Sequence, residues 1–201
     1  MTRRAITAVI WAVLFLGLCG PTQAAEDGEA APKNAFLTKV MECQSWSIQT
    51  NARLYMAYQI IDDEKGMIAE VTMWGPADAD GDFMRGELAA AGRVIREAGL
   101  SREGLGKCLA EALAEAAPDA AAHQAAGELS DTVSTIATVA SGLMDKVREN
   151  QQELQPFQGG AFDRARSQNA RLLDQVNEHV PADDVARLRE SADALAEKTR
   201  P

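Results

Sequence analysis

The sharpest chemical pattern in this 201-residue chain is Asp78-Ala79-Asp80-Gly81-Asp82. Carboxylates at alternate positions are how the first half of a calcium loop gathers oxygen ligands around a hard cation. The second half does not follow. Phe83 stands where the loop needs its turn glycine, Arg85 where a β-branched apolar residue belongs, and Ala89 where a bidentate acid would close the shell. With these flanks the stretch reads as a polar loop from Gly75 to Asp82, with Asp82 capping the next helix. A weak, partial calcium site at Asp78, Asp80 and Asp82 is the residual reading, and no other cofactor is expected.

Cysteine comes next. Cys19 lies in an apolar leader, so its removal leaves Cys43 and Cys108 as an even pair. In an oxidising compartment the only intramolecular pairing is Cys43 with Cys108, and two buried free thiols are the alternative. Histidine is scarce: His123 and His179 stand far apart, without metal spacing or a haem-attachment motif. A haem held by His179 and Met41 in a bundle interior is conceivable, but methionines at helical spacing are usually core filler. There is no nucleophile elbow and no phosphate-binding glycine loop, and a catalytic thiol would need both a base and a free sulfur. Catalysis is therefore not the expectation.

Composition points the same way. The full chain carries a net charge of −10, and losing Arg3 and Arg4 with the leader makes the remainder two units more negative. Such a chain is repelled by nucleic-acid phosphates and anionic lipid, so nucleic-acid binding is not expected. The leader itself has a short basic start and an apolar run from Ala5 to Leu18. Pro21 and the small residues before Ala25 complete a signal peptide, with cleavage expected after Ala24 or Ala25. The run is shorter than the roughly 20 residues that span a bilayer, so no stable membrane span is expected after cleavage. Ordinary export fits better than twin-arginine export, and Leu18 before Cys19 disfavours lipidation. The expected location is periplasmic or secreted, in a bacterium.

The elements that must position these residues are helices. Residues 25–34 read as a disordered lead-in, with Asn34 capping a helix near Ala35. From Phe36, apolar residues recur at helical spacing through Val40, Cys43, Leu54, Tyr58 and Ile61, with Leu37, Ile48 and Tyr55 widening that face. Trp46, Met56 and Ile60 fall on a second side. Gly66 is expected to end this helix, and Met67–Trp74 reads as a short helix, with its β-branched residues pulling towards strand. Two further helices are expected, one ending at Gly99 and one capped by Ser101. Pro118 and Asp119 then open the segment expected to be the longest, where Leu129, Val133, Ile136, Ala140, Leu143 and Val147 alternate four and three apart. After the break at Pro156, Gly159 and Gly160 come a helix from Phe162 to Val180 and a last one after Pro181, with seam residues Val185, Leu188, Ala192 and Leu195.

The expected fold is all-α: an antiparallel helical bundle with a long heptad-patterned helical C-terminal half. A helical domain over 35–117 would carry a helical arm over 118–201. The expected function is an exported, non-catalytic protein-interaction or structural module of the cell envelope. Its partner, an envelope or periplasmic protein, would meet Trp46, Met56, Ile60 and Trp74, because aromatic and methionine side chains dominate interface energies. The alternatives are a bundle that carries a small apolar ligand or cofactor near Tyr55, Tyr58 and the Cys43–Cys108 pair, and the calcium-dependent module.

Overall fold

The computed structural model describes residues 31–74 and 78–201, with side chains for 35–63, 86–160 and 162–201. The leader, its cleavage site and the segment 25–30 lie outside the described residues. Five helices account for nearly all of what is described: α1 (Ala31–Trp74), α2 (Asp78–Glu115), α3 (Ala120–Leu154), α4 (Gly160–His179) and α5 (Ala182–Lys198). Residues 31–201 form one unit, and one apolar core takes side chains from all five helices. The 117/118 boundary is thus the α2–α3 connection and not the edge of a separate core.

The helices stand as four rods, because α4 and α5 follow one another as a broken fourth. Rods α1 and α4–α5 both pack on α2 and on α3. Contacts fix the directions. Cys43 meets Cys108 and Arg53 meets Glu97, so α1 and α2 are antiparallel. Tyr58 lies against Gly142, and further along both helices Asn150 meets Ile61, so α1 and α3 run parallel. Ser130 meets Asp193 and His123 meets Ala196, which makes α3 and α5 antiparallel.

Several expected boundaries are corrected. The chain is already helical at Ala31, so Asn34 lies inside α1 and caps nothing. Pro32 sits in the first turn, where a missing N–H has no intrahelical partner to lose. Gly66 does not end α1, and Met67–Trp74 continues it as helix. One interior glycine costs about 1 kcal/mol relative to alanine, too little to break a helix of 44 residues held by packing. The loop expected up to Asp82 is likewise replaced by helix from Asp78. At 44 residues against 35, α1 and not α3 is the longest helix.

The expected break at Gly99 and Ser101 is also absent, and α2 runs through it. Ser101 is not a cap: its hydroxyl donates to Glu97 O at 3.0 Å and accepts from the Arg53 guanidinium. Gly99 has a packing reason. A Cβ there would lie 2.8 Å from His179 Cβ, so glycine allows the two helices to touch. Gly92 and Gly106, seven residues to either side, also face the fourth rod, but a Cβ there would meet only the flexible end of Gln175 and, at ordinary contact distance, Leu188. Glycine is thus required for close approach at Gly99, in the middle of a heptad row of glycines on this side of α2.

Arg102 holds the break in the fourth rod. Its side chain is 11% exposed. Nε donates to the His179 carbonyl at the end of α4 at 3.0 Å, and Nη1 pairs with Asp184 in the first turn of α5. At the other corner, Gly159 has φ of +121° and precedes α4. There Phe157 and Phe162 stack with centroids 5.1 Å apart, and Arg166 donates to the Leu154 carbonyl at 2.9 Å. The N-terminus of α3 is capped by Asp119, whose carboxylate accepts from Ala121 N at 3.0 Å.

Candidate interaction face on the first helix

Helix α1 carries two seams. The buried one alternates three and four residues through Val40, Cys43, Ser47, Thr50, Leu54, Ala57 and Ile61, all fully buried. Its two hydroxyls are satisfied within the helix: Ser47 donates to Gln44 O and Thr50 to Trp46 O, each at 2.8 Å. At Cys43 the seam meets α2, where the sulfurs of Cys43 and Cys108 lie 2.06 Å apart, at disulfide bonding distance. Towards Ile61 it meets α3. Asn150 donates to the Ile61 carbonyl at 2.9 Å, and Lys146 reaches Asp62 at 2.8 Å and Glu149 at 3.2 Å. The hydrogen bond that it donates to the Asp62 carboxylate is the main reason that the Lys146 ammonium is held above its ordinary pKa.

The second seam faces outward. Met41, Ile48 and Tyr55, seven residues apart, are 57%, 54% and 56% exposed, and Met56 beside them is 50% exposed. Ser45, Ala52 and Gln59, also exposed, fall between them and complete a four-three alternation. Period 3.5 is the spacing of a helix that meets another helix. The strip is also nearly free of charge. Residues 43–61 contain one ionisable chain with a formal charge at pH 7, Arg53, and it turns towards Ser101 and Glu97 on α2.

Of the expected partner-binding residues, only Met56 lies exposed on this face. Trp46 is half-buried and packs flat against α2, where a Cβ on Gly104 would fall 3.1 Å from its ring. Ile60 is also half-buried and packs on the core. The side chain of Trp74 lies outside the described residues. Met41, Ile48 and Tyr55 are the large apolar residues exposed beside Met56. Their signal in the sequence is the repeat of seven, masked there by apolar residues on other sides of the same helix.

The residues considered for cofactors are not drawn together. Met41 faces outward on α1, whereas His179 ends α4 against Gly99 of α2. Nδ1 of His123 lies 2.9 Å from the Ala196 carbonyl and joins α3 to α5. The side chains of Asp78, Asp80 and Asp82 lie outside the described residues, and the backbone carrying them is the start of α2. Among the described residues no group of three or more His, Cys, Asp and Glu is placed to hold a metal ion, and no helix is long and apolar enough to cross a membrane.

Tyr55 and Tyr58 stack with centroids 6.5 Å apart, and the Tyr58 ring lies under the Lys146 ammonium at 5.9 Å. A cleft of about 700 Å³ lies elsewhere, where the break between α4 and α5 opens a space beside α3. Ala140, Met144, Val176, Val180 and Val185 supply its apolar wall, and Arg148, Arg189 and Glu190 stand among its lining residues. Comparison with protein families, with curated proteins and with solved structures finds no match to this chain.

Proposed function

We propose that this chain is an exported, non-catalytic helical protein that acts in the cell envelope by binding another protein through the outer face of α1. The observation supporting this reading is the heptad row of Met41, Ile48 and Tyr55 left about half exposed on a strip almost without charge. Large apolar side chains scattered singly over a surface need no explanation, but a contiguous apolar patch marks an interaction site. Helix-in-groove and helix-on-helix recognition both use such anchors at this spacing. The test places a photo-crosslinking side chain at Ile48 and, as a control, at Thr138 on the exposed side of α3. Protein adducts are expected from position 48 and not from 138, and they should vanish when Tyr55 is also changed to glutamate. Equal yields from both positions would remove the basis of the reading.

A second reading, carriage of a small apolar ligand, is supported by the cleft at the α4–α5 break, whose volume falls within the range usual for ligand sites. Mass spectrometry of the purified protein under native conditions should then show a bound species that Ala140→Trp removes. An apolar probe whose binding is unaffected by that substitution would count against the cleft.

A further inference from the structure

We propose that the partner of the α1 face is a second copy of this chain, docked antiparallel so that Ile48 of each copy meets Ile48 of the other. This rests on the reading of α1 as an interaction face and goes on to name what covers it.

The period identifies the kind of surface that fits. A seam of Met41, Ser45, Ile48, Ala52, Tyr55 and Gln59 fits a second helix bearing the same repeat, because knobs spaced at 3.5 residues need holes at 3.5 residues. The chain itself presents such a helix. Small residues at 45 and 52 let two backbones approach closely, as Gly99 does between α2 and α4.

The seam is also self-complementary. Met41 and Tyr55 each lie seven residues from Ile48, about 10 Å along the axis. A two-fold axis through Ile48 therefore brings Met41 of one copy against Tyr55 of the second copy, twice. Thioether sulfur beside an aromatic ring is a favourable pair, and such reciprocal contact is what a two-fold interface requires.

Charge selects both the face and the direction. Two exported copies, each two units more negative than the −10 of the full chain, repel wherever charged surfaces meet. Residues 43–61 of α1 offer a face where they do not. Glu42 is the nearest acid on that side and is exposed. A parallel pairing would set Glu42 beside Glu42 of the second copy. The antiparallel pairing separates these two carboxylates by about 18 Å along the axis, beyond the screening distance of about 8 Å at physiological salt.

Size sets the strength. Residues 41–59 span about 28 Å, and a helix-wide strip of that length buries about 1,000 Å² over both copies. That is at the lower end for a specific interface, so the dimer should be reversible, with dissociation in the micromolar range.

The experiment uses the purified exported chain with its Cys43–Cys108 pair left intact. Sedimentation from about 1 to 300 μM should show a monomer–dimer equilibrium, and Ile48→Glu should weaken it at least a hundredfold with unchanged helicity. Met41→Cys and Tyr55→Cys proteins, mixed in equal amounts and oxidised together, should give a mixed disulfide dimer well beyond the about twofold excess over each homodimer that random pairing produces. A chain that stays monomeric throughout, or an Ile48→Glu variant that associates as the parent does, overturns the proposal. A mixed species at or below that random proportion overturns the antiparallel docking. A monomeric chain that still crosslinks from position 48 to a different protein removes the second copy as partner and leaves the interaction face standing. A chain that does neither removes both.

Discussion

Gly99 offers a substitution whose sign depends on one contact. In an exposed helix interior, glycine to alanine stabilises by about 1 kcal/mol, because alanine has less backbone freedom to lose. Gly127 on α3 is such a place, with nothing within 4 Å of an added Cβ. At Gly99 the same methyl would lie 2.8 Å from His179 Cβ and 3.0 Å from the His179 carbonyl oxygen. Carbon atoms rest at about 3.5–4.0 Å, so the shortfall is close to 1 Å, and it falls on backbone-anchored atoms that no rotamer change can move. Relief requires α4 to shift, and that shift would also pull the His179 carbonyl from Arg102 Nε. Overpacking of this kind costs about 1–3 kcal/mol. Setting this against the gain in propensity, Gly99→Ala should lose about 1 kcal/mol while Gly127→Ala gains about 0.5–1 kcal/mol. Urea unfolding followed by circular dichroism measures both, provided that the slopes match the parent. A Gly99→Ala protein as stable as Gly127→Ala would refute the close approach of α2 and α4 at Gly99.

Three further outcomes follow from the same contacts. Arg102→Ala should destabilise by about 3 kcal/mol, because it strips Asp184 and the His179 carbonyl of a largely buried guanidinium. A double-mutant cycle with Asp184→Ala should show coupling, and additive losses would mean that the pair contributes nothing. Replacing Cys43 and Cys108 by serine together should lower stability by about 4 kcal/mol, the chain-entropy value for a closure of this length; unchanged urea midpoints for the double variant would show that the thiols do not pair. Lys146 has its pKa raised in the folded chain, first by the hydrogen bond with Asp62. Its stabilising contribution is therefore complete below the ordinary lysine value and is lost as pH climbs through the higher folded value. Lys146→Met should be less stable than the parent at pH 7, with the difference narrowing in strongly alkaline buffer; a gap that is constant with pH would assign the effect to packing.

The second half of the chain was readable from its sequence for a physical reason. Leu129, Val133, Ile136, Ala140, Leu143 and Val147 are apolar at every seam position and flanked by polar residues, so only one rotation of α3 buries them, and it is the one observed. The same holds for Val185, Leu188, Ala192 and Leu195 on α5. Helix ends within α1 and α2 were less readable, because Gly66, Asp82, Gly99 and Ser101 are local stop or start signals of about 1 kcal/mol each. Contact with neighbouring rods along α2 outweighs such signals. At Gly99 the glycine was read as a terminator when its role is to admit His179.

The outward seam of α1 is hard to read from the sequence for a related reason. Hydrophobicity alone favours burying Met41, Ile48 and Tyr55 and exposing Ser47 and Thr50, and the fold does the reverse. Shape decides it. The small side chains of Cys43, Ser47, Thr50 and Ala57 bring α1 close to its neighbours, close enough for the Cys43–Cys108 contact and for Trp46 to lie on Gly104. The two hydroxyls lose little by burial because each bonds a carbonyl of its own helix. What this arrangement leaves half exposed is a row of three large apolar side chains, Met41, Ile48 and Tyr55. Covering the exposed half of each of Met41, Ile48 and Tyr55 would contribute about 1 kcal/mol apiece. With its hydroxyls buried and these three side chains left in a heptad row to solvent, the folded chain forgoes that gain, and a partner over the outer seam would recover it.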